Sequence, residues 1–182
     1  MQELSLNILD IAQNSIRAGA SLTEIIIDED MEKDLLTIEI NDNGCGMTPE
    51  QVQNVTDPFF TTRSTRSVGL GVPFFKMAAE QAGGDFTITS EIGVGTWLKA
   101  TFQHSHIDRM PLGDMCGSIC IIIRMNADRD FLYKHTVNGK SFTVDTRELR
   151  ETLGEDVPLD LPDVMEWIEG FIKENTETIM GG

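Results

Sequence analysis

Asp42 is followed by two glycines in the string Asn41-Asp42-Asn43-Gly44-Cys45-Gly46-Met47. A lone carboxylate at a strand end can accept a hydrogen bond from an exocyclic amine, and glycines beside it let a flat heterocycle lie against the main chain. Asp10 and Asn14 form a second pair, four residues apart and so side by side on one helix face. A carboxylate and an amide oxygen at that spacing can hold a divalent cation and its water. The third group lies in the stretch from Asp57 to Gly71. Between Asp57 and Glu80 the chain carries Arg63, Arg66 and Lys76 and no acid. Arginine forks and Thr or Ser hydroxyls suit phosphate oxygens, and Gly69 and Gly71 lead into a helix whose first amides favour anions. The fourth is Gly93-Val94-Gly95-Thr96, where the Thr96 hydroxyl can add a contact near the ring read by Asp42. Each string alone also fits a plainer role: a glycine-rich turn, a solvated helix face, a surface loop or a hairpin.

The elements that must position these groups follow from periodicity. Residues 3–18 predict an amphipathic helix, with Leu4, Ile8, Leu9, Ile11, Ala12 and Ile16 over one broad side. Asn7, Asp10, Asn14 and Arg17 fall in a narrow sector of the other, and Gly19 ends the helix. Strands are expected at 23–28 and 35–41, where Leu36, Ile38 and Ile40 alternate with polar residues. Thr48-Pro49-Glu50 opens a short helix. A loop covers 57–70, a helix about 72–82, and strands 85–91 and 96–102. Beyond a connector at 104–114, the apolar run 116–124 reads as a strand. Two further strands, 131–137 and 141–145, flank Asn138-Gly139, a hairpin signal. Asp145 and Glu148 suggest a capping box for a helix ending near Leu153. A last helix starts at Pro162, with Val164, Trp167, Ile168, Phe171 and Ile172 as its apolar face.

The bulk numbers exclude several classes of function. With 182 residues, 40% of them hydrophobic, the chain can build a real core. Its net charge of −16 argues against nucleic acid and anionic membrane as partners, since phosphate contacts need a basic surface. No signal peptide is visible, and no apolar run reaches the roughly 20 residues needed to span a bilayer. Cys45, Cys116 and Cys120 do not form a disulfide framework. These features predict a soluble protein of a reducing, cytoplasmic compartment.

In their order along residues 3–103, the four groups resemble the GHKL superfamily of gyrase B, heat-shock chaperone ATPases, histidine kinases and MutL repair ATPases. Asn14 is similar to the family's Mg2+-ligating asparagine. Asp42, Gly44 and Gly46 match its adenine-binding glycine box. The string Asp57-Pro58-Phe59-Phe60-Thr61-Thr62-Arg63 resembles the histidine-kinase F box, and Gly69-Leu70-Gly71 the second glycine box. Gly83-Gly84-Asp85 through Gly95-Thr96 also runs as in histidine-kinase catalytic domains, whereas Asn14 to Ala20 is nearer the repair-ATPase version.

The resemblance implies an α/β two-layer sandwich with helices on one face of a mixed, mostly antiparallel sheet. It implies an ATP-binding domain at 1–103 followed by a C-terminal extension at 104–182. Nucleotide contacts are expected from Asn14, Arg17, Asp42, Gly44, Gly46, Met47, Phe59, Thr62, Arg63, Arg66, Gly69, Leu70, Gly71, Val72 and Thr96. ATP and Mg2+ are the expected ligands, with Asn14 on the metal. Asp10 stands where the family usually has Glu as base or water-positioning group, one methylene shorter, and is the candidate catalytic group. Arg17 occupies a place where histidine kinases often carry Lys.

Orthodox histidine kinases precede this domain with helices bearing the phospho-acceptor histidine. Here the histidines lie later, at His104, His106 and His135, and the first two read as solvated linker residues. Three functions follow: a stand-alone kinase or phosphotransfer regulator acting on a separate protein, a slow ATPase switch, or an ATP-gated binding module. Residues 104–182 match no motif and suggest partner recognition or homodimerisation, or else a stabilising extension of the same domain.

Overall fold

The computed structural model describes residues 3–57, 59 and 71–181. Six strands build one sheet: β1 (Leu22–Asp30), β2 (Leu35–Asp42), β3 (Phe86–Glu91), β4 (Gly95–Gln103), β5 (Asp130–Val137) and β6 (Lys140–Asp145). Among the described residues six helices accompany it: α1 (Leu4–Arg17), α2 (Pro49–Val55), α3 (Gly71–Gln81), α4 (Met115–Met125), α5 (Thr146–Leu153) and α6 (Pro162–Ile179). The strand order is β3-β4-β2-β1-β5-β6. Neighbours are antiparallel except β1 and β5, which run parallel. The expected mixed, mostly antiparallel sheet is therefore present, and β5 and β6 continue the sheet that β1–β4 begin.

Period-two patterning decides which face is covered. Ile25, Ile27, Leu36, Ile38, Ile40, Leu98, Ala100 and Phe102 are buried in one core with Leu4, Ile8 and Ile11 of α1 and Phe75 of α3. Burying each large side chain contributes roughly 1.5–3 kcal/mol. One cross-strand row runs the width of the sheet: Ile88, Leu98, Ile40, Ile25, Tyr133 and Val144 stand opposite one another on successive strands.

Local signals explain the ends of the elements. Thr48 and Gln51 form a reciprocal capping box at the start of α2, with Pro49 in its first turn. Asn138 and Gly139, at φ 50° and 85°, give the β5–β6 hairpin the left-handed pair that a two-residue turn demands. Asp145 caps α5 by accepting the Arg147 N–H at 2.9 Å.

One expected element is wrong. The run 116–124 is not a strand but lies within α4. Its buried residues, Met115, Ser118, Ile119, Ile122 and Ile123, recur at helical spacing, and α4 packs against α1 and α6. Asp114 fixes the start by accepting the Gly117 N–H at 2.8 Å. Packing of a helical stripe outweighs the strand preference of the isoleucines. Cys116 and Cys120 are accordingly half-buried helix thiols. Burial raises both, Cys120 to about 12. Among the described residues no helix is long and apolar enough to cross a membrane.

Candidate functional site

The last turn of α1 meets the ends of β2 and β4, and a cavity of about 270 Å³ opens there. Asn14, Ser15, Arg17 and Ala18 form one wall, Asp42 and Cys45-Gly46-Met47 another, and Gln51 and Val55 of α2 a third. Val72, Ile88, Thr96 and Leu98 complete it with Ile11 and Ile40. Asp42 shares the inward face of β2 with Ile40, so its carboxylate stands at the rim of an apolar floor.

Asp42 is held from two sides. The Ser15 hydroxyl donates to Oδ2 at 2.7 Å, and the Gly44 N–H donates to Oδ1 at 2.8 Å. Each carboxylate oxygen keeps capacity for a further donor. An oriented acceptor above Ile40, Ile88 and Leu98 can read an amine on a flat ring lying against those side chains.

The glycines beside it approach the protein's own backbone. A Cβ on Gly44 would lie 2.9 Å from both Ala18 Cβ and Ala18 O. Gly46 has φ 75°, and a Cβ there would collide with the Glu91 carbonyl. The Cys45 N–H donates to Ala18 O at 2.9 Å, and the Gly93 N–H donates to Cys45 O at 2.8 Å. The segment is thus clamped between the end of α1 and the β3–β4 turn, which fixes Asp42 and Met47. Ser90 Oγ completes this wall: it accepts the Met47 N–H at 2.8 Å and lies 2.9 Å from Gly95 O and 2.8 Å from Thr96 Oγ1.

Asp10 and Asn14 lie on α1 as expected. Asn14 lines the cavity, and its Oδ1 accepts from Arg17 Nη1 at 2.8 Å. Asp10 is half-buried beside it. Burial pushes its carboxyl up, and Arg17 partly offsets this. Gly71 of α3 rests on Asp10: a Cβ there would stand 3.0 Å from Asp10 Cβ and 3.7 Å from Oδ2. A divalent cation fits the donor chemistry, since an amide oxygen and a carboxylate are hard oxygen ligands. Among the described residues no cluster of three or more His, Cys, Asp or Glu is placed to hold a metal. A cation at Asn14 would complete its shell with water and ligand oxygens.

Of the sequence-predicted site residues, the structure gathers Asn14, Arg17, Asp42, Gly46, Met47, Val72 and Thr96 around the cavity. Gly44 packs on Ala18, and Gly71 on Asp10 and Ile11; neither these glycines nor Asp10 line the cavity itself. Phe59 is 77% exposed and does not line it. Thr62, Arg63, Arg66, Gly69 and Leu70 lie outside the described residues. Sequence reasoning missed Ser15 and Ser90. Ser15 had a signal, a hydroxyl on the apolar side of α1 that needs an interior partner. Asn7, placed by periodicity in the polar sector, is wholly buried, and neither its Nδ2 nor its Oδ1 has a hydrogen-bond partner among the described residues. His104 is also not a solvated linker residue: its Nε2 lies 2.9 Å from Glu29 Oε1, and its side chain is 18% exposed.

Residues 1–106 match the family model of the histidine kinase-, DNA gyrase B-, and HSP90-like ATPase. A putative sensor protein of Shewanella frigidimarina is 32% identical over 109 residues, 59% of this chain and 17% of that protein. Sensor protein SrrB of Staphylococcus aureus is 35% identical over 101 residues, covering 53% of this chain and again 17% of the relative. The matched stretch thus spans about a sixth of the curated relatives. Among solved structures, the N-terminal domain of a DNA repair protein superposes with a TM-score of 0.53 at 16% identity. It covers 79% of this chain and 52% of that one, a likeness of fold.

Proposed function

The chain belongs to the histidine kinase-, DNA gyrase B- and HSP90-like ATPases, and on that premise we propose that it binds Mg-ATP in the cavity beside Asp42 and passes the γ-phosphate to a separate protein. The observation that carries this reading is the placement of Asp42, held by Ser15 and the Gly44 amide at the rim of an apolar pocket. Asp42 accepts the exocyclic amine of adenine, while Ile40, Ile88 and Leu98 contact the ring. Thr96, bonded to Ser90, adds a hydroxyl at the same end.

Asn14 would hold Mg2+, which would supply charge to neutralise phosphate oxygens. Arg17 donates to the Asn14 oxygen, and its guanidinium would be free to meet a phosphate where that oxygen took a cation instead. Asp10 orients the accepting hydroxyl, imidazole or water. Its raised carboxyl reflects burial beside Gly71, and a carboxylate poised in this way is a stronger base than an exposed one. Arg63, Arg66 and the Gly69–Gly71 amides are the proposed contacts to phosphate charge.

The kinase reading is favoured over hydrolysis by the sensor-protein relatives and by Asp10 standing where hydrolysing members carry Glu. Incubation with γ-labelled ATP, Mg2+ and co-purifying proteins tests it. Label on a partner, absent with Asp42→Asn, is the expected result. Label released to water at the same rate without a partner would replace it with an ATPase switch. Binding without turnover would leave an ATP-gated module.

A further inference from the structure

A second concavity, of about 610 Å³, lies between β6, α5 and α6. Its apolar lining comes from Val144, Leu149, Leu153, Val164, Trp167 and Phe171. Trp167 stacks on Phe171 with centroids 5.1 Å apart and an interplanar angle of 19°, yet Trp167 remains 54% exposed. An ordered, half-exposed aromatic pair at the mouth of an apolar groove is the kind of surface that anchors a partner.

The two helices that wall this groove carry a large excess of acids, while on the strand side Lys134 stands opposite Thr143. Residues 145–182 carry eleven acids and three bases. All three bases are engaged: Arg147 with Asp145, Arg150 with Asp130, and Lys173 with Glu169. On the rim, Glu148 and Asp163 have no such partner among the described residues. β6 is also an edge strand, with no strand beyond it among the described residues.

The groove and the nucleotide cavity share one floor. Ile40 lines the cavity and Val144 the groove, and they belong to the row Ile40, Ile25, Tyr133, Val144 on adjacent strands. Three strand spacings separate them, about 14 Å.

We propose that the β6–α5–α6 groove docks a lysine- or arginine-rich segment of a separate protein through a bulky apolar anchor placed against Trp167 and Phe171. The unpaired rim carboxylates select basic side chains and set the on-rate. This surface stands apart from the nucleotide cavity, so docking needs no ATP and holds whether the phosphate goes to the partner, to water or nowhere.

The test uses the full chain without nucleotide and three labelled synthetic peptides of equal length: one alternating Lys and Leu, one Glu and Leu, one Lys and Ser. Fluorescence anisotropy reads affinity at low and physiological salt. The expected result is that Lys–Leu binds at least about tenfold tighter than either control, weakening as salt screens the rim. Trp167→Ala weakens Lys–Leu by at least about tenfold, and Glu148→Lys with Asp163→Lys does the same. Both variants alter exposed positions, and unchanged melting temperatures verify their folds. Equal affinity for Glu–Leu or Lys–Ser, or undiminished Lys–Leu binding by Trp167→Ala, overturns the proposal. Sedimentation showing that the chain self-associates, and that Trp167→Ala abolishes it, overturns it in favour of a second copy as the occupant.

Discussion

Two regions of the same sheet treat their interior polar groups in opposite ways. Beside α1 these groups are left with spare capacity. Asn7 is wholly buried with an amide unpaired among the described residues, Asp10 is raised by burial, and Asp42 keeps room for another donor. On the β5–β6 side they satisfy one another. Glu29 meets His135 Nε2 at 2.6 Å and His104 Nε2 at 2.9 Å. Arg150 reaches Asp130 at 2.9 Å and the Ala127 and Arg129 carbonyls, each at 2.7 Å. Thr146 bridges Asp130 and the Phe131 amide. A buried polar group without a partner costs stability, so a protein keeps one only where something else needs it. The closed networks tie elements of the fold together, and the spare capacity of Asp42 faces the cavity.

The largest expected effect tests the closed side. Glu29→Ala leaves two histidines without their acceptor and should destabilise the protein by about 3 kcal/mol, read by urea denaturation. Burial alone would raise the Glu29 carboxyl, but the hydrogen bonds from His135 and His104 outweigh it and hold it below its ordinary 4.5. Its stabilisation is therefore fully present above pH 4.5 and lost as pH falls through the lower folded value. The gap between wild type and Glu29→Ala should narrow in that acid range. A gap independent of pH would break the comparison.

Next, Arg150→Ala removes three ties between α5 and the segment Ala127–Asp130 that leads into β5, and should cost about 2 kcal/mol by the same measurement. A cost below a few tenths would make this network ornamental. On the open side the sign reverses. Asn7→Leu exchanges an unpaired buried amide for an apolar group of similar size and should stabilise by about 1 kcal/mol. A loss of stability there would mean that the amide is satisfied in solution.

The smallest effect concerns Asp10. Its folded carboxyl lies above the ordinary 3.8, so the ionised form costs stability at neutral pH and the cost disappears below about that value. Asp10→Asn should raise the melting temperature slightly at pH 7 and leave it unchanged in strong acid. An equal rise at both pH values would trace the gain to packing instead of charge.

Much of the open region was legible in the chain. Asp42, its glycines and the Asp10–Asn14 spacing are short-range patterns, and chemistry restricts which residue types can stand there. Pairing of strands by alternation was equally readable, as was the Asn138-Gly139 turn. The glycines' role was not, because Gly44 and Gly46 are required by Ala18 and Glu91, partners distant in sequence. Ser15 and Ser90 were hidden for the same reason. The dense apolar run 116–124 fits either period, and only the packing of Ile119, Ile122 and Ile123 against neighbouring helices decides it. His104 and Glu29 are 75 residues apart, so no local pattern joins them.

The cavity's assignment rests on one carboxylate, and calorimetric titration of Mg-ATP into wild type and Asp42→Asn measures it most directly. Asn keeps the acceptor for the Gly44 amide but loses the charge, and circular dichroism verifies the fold. The expected result is measurable binding by wild type and at least a tenfold loss in the variant, about 1.4 kcal/mol or more. Equal affinity in two equally folded proteins would contradict the reading of this cavity as the adenine site.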